Sequence, residues 1–252
     1  TRPVLLMPLG LALVLGLADD IGDLPSGSRF VGEVVIGVTV SIIAGLAAPL
    51  IVVGVLATVL LINAVNLLDG LDGLASGTAV ASSAGFAFVL SGDYRVLAAA
   101  VAASLGGFLL WNRPPASIYL GDAGSYLVGA ALAVLATSTI GSGGSVPTAA
   151  AAALLVGVPV ADTTIAVIRR WRAKRPLFRG DRGHVYDQLV DRKWSPERAT
   201  VACIAAQAVL ALVAIGIAQL SDGAAIAACI ATVAVVAGYA IPAFTSPSPT
   251  AG

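Results

Sequence analysis

The chain is a succession of apolar runs close to the length a helix needs to cross a bilayer, and this limits its fold more than any other feature. The runs lie near residues 3–18, 31–47, 49–65, 73–91, 95–111, 124–140, 146–168, 201–220 and 223–243. Roughly 20 apolar residues carry a helix through the hydrocarbon core. Polar punctuation separates the runs, with turn-forming residues at Pro49, Ser91-Gly92-Asp93, Gly141 to Pro147 and Ser221-Asp222-Gly223. Charged residues make up 11% of the chain and hydrophobic ones 58%, whereas soluble domains carry about 25% charged residues. There is too little polar surface to cover a water-exposed globule. Alanine, glycine and valine dominate the runs, and small residues let helices approach closely in lipid. The expected fold is all-α, a polytopic transmembrane helix bundle of about nine spans over residues 1–244, with a disordered Pro/Ser-rich tail at 245–252. A bundle this rich in small residues also allows a homodimer.

Zero net charge hides a division. Residues 169–198 hold ten Lys and Arg against four acids, +6, and the rest of the chain carries −6. One basic loop inside a membrane protein is no nucleic-acid footprint; the positive-inside rule makes it cytoplasmic. Alternating sides from this anchor puts segments 19–30, 63–72 and 112–123 on the same face. These hold Asp19, Asp20, Asp23, Asn63, Asn66, Asp69, Asp72, Asn112, Arg113 and Asp122, whereas the outer connections hold Asp93, Arg95 and Asp222. The polar chemistry gathers on one side of the membrane, at the plasma (inner) membrane's cytoplasmic face. Cys203 and Cys229 sit in different apolar runs without metal-ligand spacing and read as packed thiols.

Four constellations carry chemistry. Leu17-Ala-Asp19-Asp20-Ile-Gly-Asp23 ends an apolar run with three carboxylates. Acids oppose the helix dipole there, and crowded like charges resist ionisation, so such a group awaits a cation or a proton. Asn63-Ala-Val-Asn66-Leu-Leu-Asp69-Gly70-Leu-Asp72-Gly73 follows directly on an apolar span. Acids at or inside the interface are functional by default. The spacing of three predicts that Asn66, Asp69 and Asp72 share one helix side, with Gly70 and Gly73 permitting a break. Gly121-Asp122-Ala-Gly124-Ser125 opens a span, where Asp122 reads either as a helix N-cap or as a metal-binding carboxylate. Arg179-Gly-Asp181-Arg182-Gly183-His184 contains the only histidine, with arginines suited to a diphosphate. Asp162, inside the cytoplasmic end of its span, reads equally as a helix–helix hydrogen-bonding group or as part of the site. This inventory suits phosphoryl transfer with Mg²⁺, which takes a few carboxylates plus substrate phosphates.

In these motifs the chain resembles the polyprenyl-phosphate N-acetylhexosamine-1-phosphate transferase superfamily. The Asp19-Asp20 pair, the Asn63-to-Gly73 block, the Gly121-to-Ser125 turn and the His184 loop follow the family's order over residues 10–200. The resemblance implies an enzyme in which polyprenyl phosphate attacks the β-phosphorus of a UDP-sugar. UMP leaves and a polyprenyl-diphospho-sugar forms, a step in cell-wall or surface-polysaccharide synthesis. It implies Mg²⁺ (or Mn²⁺) held by Asp122 with Asp20, and Asp19 or Asp20 orienting or deprotonating the lipid phosphate. Asp69 and Asp72 would organise the metal and nucleotide end. Asn63, Asn66, Arg179, Arg182 and His184 would contact substrate, His184 at the donor diphosphate. Family members show a histidine cluster in the last loop where this chain has one. They also carry helices before the first aspartate pair, and a chain opening Thr-Arg-Pro is expected to be preceded by more. The rival is a non-catalytic polyprenyl-phosphate-binding membrane protein or a transporter, but crowding of ionisable groups on one face argues against transport. A CDP-alcohol phosphotransferase would need an arginine shortly after Asp72-Gly73, where Leu-Ala-Ser stands.

Overall fold

A computed structural model describes residues 3–141, 143–174 and 183–245, and every regular element among them is a helix. A short 3₁₀ turn, Pro3–Leu6, leads into α1 (Met7–Gly22). There follow α2 (Ser26–Ile43), α3 (Ala48–Leu68), α4 (Leu74–Val89), α5 (Gly92–Asn112), α6 (Gly121–Ser138), α7 (Val146–Leu155) and α8 (Gly157–Arg172). The chain finishes with α9 (Val185–Asp191), α10 (Pro196–Ile217) and α11 (Asp222–Thr245). Local sequence explains many starts. Proline stands in the first two positions of α1, α3, α7 and α10, where its missing N–H costs nothing. Ser145 and Thr148 form a reciprocal capping box on α7, and the Ser195 hydroxyl accepts from the Arg198 amide at 3.3 Å on α10.

Each of the nine apolar runs is helical, but not all have spanning dimensions. Among the described residues, six helices are long and apolar enough to cross a membrane, or seven if the bent pair α7–α8 is one span. That pair turns through 64° at Val156, so the run 146–168 is a broken span rather than a straight one. The helix α4, at 16 residues, is short. Thr245, the first residue of the expected tail, is the last residue of α11, and residues 246–252 lie outside those described.

The centre of the bundle is α6, whose middle from Val128 to Leu135 is buried throughout. It packs between α1 and α3, and two glycines make this possible. A β-carbon on Gly16 of α1 would collide with the Asp122 carbonyl, and one on Gly129 of α6 would meet the Ile62 backbone. Such backbone contact is what small residues offer in lipid, where there is no hydrophobic drive between helices. At the other extreme, α11 leaves Ile226, Ile230, Val233, Val235 and Tyr239 exposed. In a bilayer that apolar surface faces acyl chains.

Candidate active site

Three helix ends meet at one face: the C-terminus of α1, the C-terminus of α3 and the N-terminus of α6. The adjacent acids of α1 behave differently. Asp19 is buried, and both its oxygens are committed. Oδ1 accepts from the Leu24 amide at 2.9 Å; Oδ2 accepts from the Tyr126 hydroxyl at 2.8 Å and from Arg29 at 3.2 Å. Asp20 is exposed, one residue further round the helix, and reaches across to α6. Its Oδ1 accepts from the Asp122 amide at 2.8 Å and its Oδ2 from the Ala123 amide at 2.9 Å. These are two of the unpaired donors at a helix N-terminus, where negative charge is also favoured by the dipole.

The α6 amides are therefore capped by Asp20 and not by Asp122, which removes the N-cap reading of Asp122. Asp122 lies inside the first turn, with no capping side chain at Leu120. Its carboxylate Oδ1 accepts from Asn66 Nδ2 at 2.6 Å, and the same amide group donates to Ser125 Oγ at 3.1 Å. Positive φ at Gly121 (61°) lets the chain swing from the preceding loop into this turn directly over the Asp20 carboxylate.

The Asn63–Gly73 block does not form one helix face. The helix α3 ends at Leu68, Asp69 stands at the C-cap, and Gly73 has φ 74°. The chain turns between Asp69 and Gly73, so of Asn66, Asp69 and Asp72 only Asn66 lies on the helix. Asp72 faces the α5–α6 loop, where its Oδ2 accepts from the Ala116 amide at 2.9 Å. Asp69 is half-buried, and burial, followed by the charges of Asp122 and Asp72, pushes its carboxyl up to about 7. Asn63 points elsewhere, donating to Glu33 Oε2 at 2.7 Å.

The late loop docks onto the same block. His184 is buried, and its Nδ1 lies 2.6 Å from Asp162 Oδ2, while Asp162 Oδ1 accepts from the Val185 amide at 2.7 Å. With Asp162 Oδ2 accepting, Nδ1 carries the ring proton of the neutral tautomer. The rings of His184 and Tyr186 stack at 5.6 Å between centroids, and the Tyr186 hydroxyl donates to the Leu67 carbonyl at 3.0 Å. Gly70 lies against the Tyr186 hydroxyl so closely that a β-carbon would collide with it. Arg179 and Arg182 lie outside the described residues.

Sequence reasoning passed over Arg29, Glu33 and Tyr126. Glu33 had a usable signal, because it is a lone acid within an apolar run and is buried in α2. Nothing in the spacing announces that Tyr126 would meet Asp19, 107 residues away in sequence.

Among the described residues no group of three or more His, Cys, Asp or Glu side chains is arranged to hold a metal ion. The donor set fits a cation of a different habit. Asp122 and Asp69 are close enough for their charges to oppose each other. A Mg²⁺ ion typically takes one or two carboxylates and completes its shell with water and substrate phosphates.

The fold and the site define a polytopic, all-helical membrane protein with a carboxylate-rich centre at one membrane face. The chain belongs to glycosyl transferase family 4, whose description matches residues 3–140. That segment holds Asp19, Asp20, Asn66, Asp69, Asp72 and Asp122, and ends before Asp162 and His184. Among similar curated proteins is the Bacillus subtilis (strain 168) "Probable undecaprenyl-phosphate N-acetylglucosaminyl 1-phosphate transferase", 36% identical over 51% of this chain and 37% of that protein. The decaprenyl-phosphate N-acetylglucosaminephosphotransferase of Mycobacterium leprae (strain TN) is 32% identical over 71% of this chain and 48% of its own length. A phospho-N-acetylmuramoyl-pentapeptide-transferase of Bacillus pumilus (strain SAFR-032) is 43% identical over 31% of this chain and 25% of its own. The chain thus spans less than half the length of these relatives.

Proposed function

We propose that the protein containing this chain transfers a sugar-1-phosphate, of N-acetylhexosamine type, from a UDP-sugar to polyprenyl phosphate at the cytoplasmic face of the plasma membrane. A phosphate oxygen of the lipid attacks the β-phosphorus of the donor. The bond from that phosphorus to the bridging oxygen breaks, and UMP leaves with the bridging oxygen and its electron pair. The product is a polyprenyl-diphospho-sugar.

The observation that carries this reading is the release of Asp122 from capping. Asp20 satisfies the α6 amides, leaving the Asp122 carboxylate beside Asn66 and near Asp69 at the positive end of a helix. Asp122, with Asp69, would hold Mg²⁺, which supplies neutralisation of phosphate charge. Asn66 fixes the rotamer of Asp122, and Asp72 ties the α5–α6 loop beside it. Asp19 and Asp20 use both carboxylate oxygens as acceptors and brace the α1–α6 junction, with Asp20 set against the Asp122 amide at the metal end of the site. An acceptor phosphate whose second pKa is about 6 arrives largely ionised and needs no base. Asp162 aims the His184 ring, whose Nε2 would meet the donor diphosphate.

The reading is tested in membranes containing the full-length protein, with UDP-sugar donors, polyprenyl phosphate and Mg²⁺. Metal-dependent UMP release that is lost in Asp122→Asn supports it. Absence of UMP from every donor, with folded protein, would overturn the transferase reading and favour a non-catalytic lipid binder.

A further inference from the structure

Breaking a helix inside a membrane leaves backbone groups without partners, and hydrocarbon offers none. The 64° elbow between α7 and α8 has this problem in an acute form. Straight helix would pair the Val158 amide with the Leu154 carbonyl. The Leu155 carbonyl would lack a partner in any case, because position 159 is proline and has no N–H.

One side chain answers all three. Gln207, on the facing helix α10, is fully buried. Its Oε1 accepts from the Val158 amide at 2.9 Å, and its Nε2 donates to the Leu154 carbonyl at 3.2 Å and the Leu155 carbonyl at 3.0 Å. A primary amide has the two donors and the acceptor this requires, and no other uncharged side chain of that length does. Gly157, at the bend, lies against Leu210 one turn further along α10, so the elbow is pressed onto the helix that satisfies it.

The elbow sets the direction of α8, and α8 carries Asp162 five residues beyond Gly157. Asp162 in turn holds both His184 Nδ1 and the Val185 amide that opens α9. We infer that Gln207 is a positioning residue for His184, acting through the α7–α8 elbow and Asp162. Its functional consequence rests on the proposed role of His184 toward the donor diphosphate; its structural consequence does not.

Because His184 is the only histidine of the chain, ¹⁵N-histidine labelling gives one imidazole to read. The experiment compares the wild-type protein in lipid nanodiscs with Gln207→Leu and with the milder Gln207→Asn, which keeps the amide but shortens its reach. Ser83→Ala serves as the control, since it alters a buried hydroxyl without a hydrogen-bond partner on the neighbouring α4. Folded Gln207 variants are expected to shift or broaden the Nδ1 resonance and to raise KM for the UDP-sugar roughly tenfold, with kcat less affected. Ser83→Ala is expected to do neither. Should Gln207→Leu fail to fold, Gln207→Asn decides. An unchanged imidazole signal in a folded Gln207 variant overturns the inference. A shifted imidazole in a protein without transfer activity instead overturns the proposed function and leaves the positioning intact.

Discussion

The site is assembled from two regions built on different principles. The acidic centre at α1, α3 and α6 rests on backbone, through glycine-mediated contact of helices and helix amides taken by Asp20, with Asn66, Tyr126 and Arg29 bonding its carboxylates on that frame. The His184 arm is held by side chains in series, Gln207 on the elbow, Asp162 on His184 and Tyr186 on the Leu67 carbonyl. Backbone contact between packed helices leaves little freedom, because there is no side chain to re-rotamer. A chain of side-chain hydrogen bonds can be altered one link at a time. The centre should therefore respond to mutation by collapse or by loss of chemistry, and the arm by graded loss of aim.

The largest effect is expected from Gly16→Val. Its side chain would drive into the Asp122 carbonyl, separating α1 from α6, and detergent-solubilised protein should be aggregated or absent by gel filtration. Folded, monodisperse Gly16→Val would show that the centre is looser than described. Next comes Asp122→Asn, isosteric and still able to face Asn66. Transfer should fall by about 10³-fold or more with the melting temperature little changed, as for loss of a group that stabilises transition-state charge. Asp162→Asn removes the charge that fixes the His184 tautomer, and should lower kcat/KM for the UDP-sugar by roughly 10–100-fold.

How far these regions could be read from the sequence follows the same line. All nine apolar runs are helical, and the gathering of acids on one face follows from alternating sides around the basic loop. Both are local properties. The Asp20 cap on α6 was hidden because its partner lies 102 residues away, and Asp122 alone looked like an equally good N-cap. The three-residue spacing of Asn66, Asp69 and Asp72 suggested a helix face, but α3 ends at Leu68 and the chain turns before Asp72. The elbow left a trace in Pro159, yet nothing local says that Gln207 satisfies it, since a buried amide in an apolar run shows its purpose only once its neighbours are known. Glu33 was the readable omission, an acid inside a span whose partner is Asn63.

A smaller effect separates the regions by pH. The Asp69 carboxyl is raised to about 7 in the metal-free protein. A folded-state value above the unfolded one contributes stability that is full below the unfolded value and lost as pH rises through the folded one. Metal-free protein should therefore melt a few degrees lower at about pH 8 than at about pH 6, and Asp69→Asn should reduce that difference. A slope undiminished in Asp69→Asn would assign it to other groups.

The most direct test of this division of labour is a steady-state comparison of Asp122→Asn and Asp162→Asn in the full-length protein, measuring UMP release across UDP-sugar concentrations at saturating polyprenyl phosphate and Mg²⁺. The division predicts that Asp122→Asn loses kcat even at saturating donor, while Asp162→Asn mainly raises KM. Equal losses of kcat in both, with KM unchanged, would contradict it and place His184 in the chemical step alongside the acids.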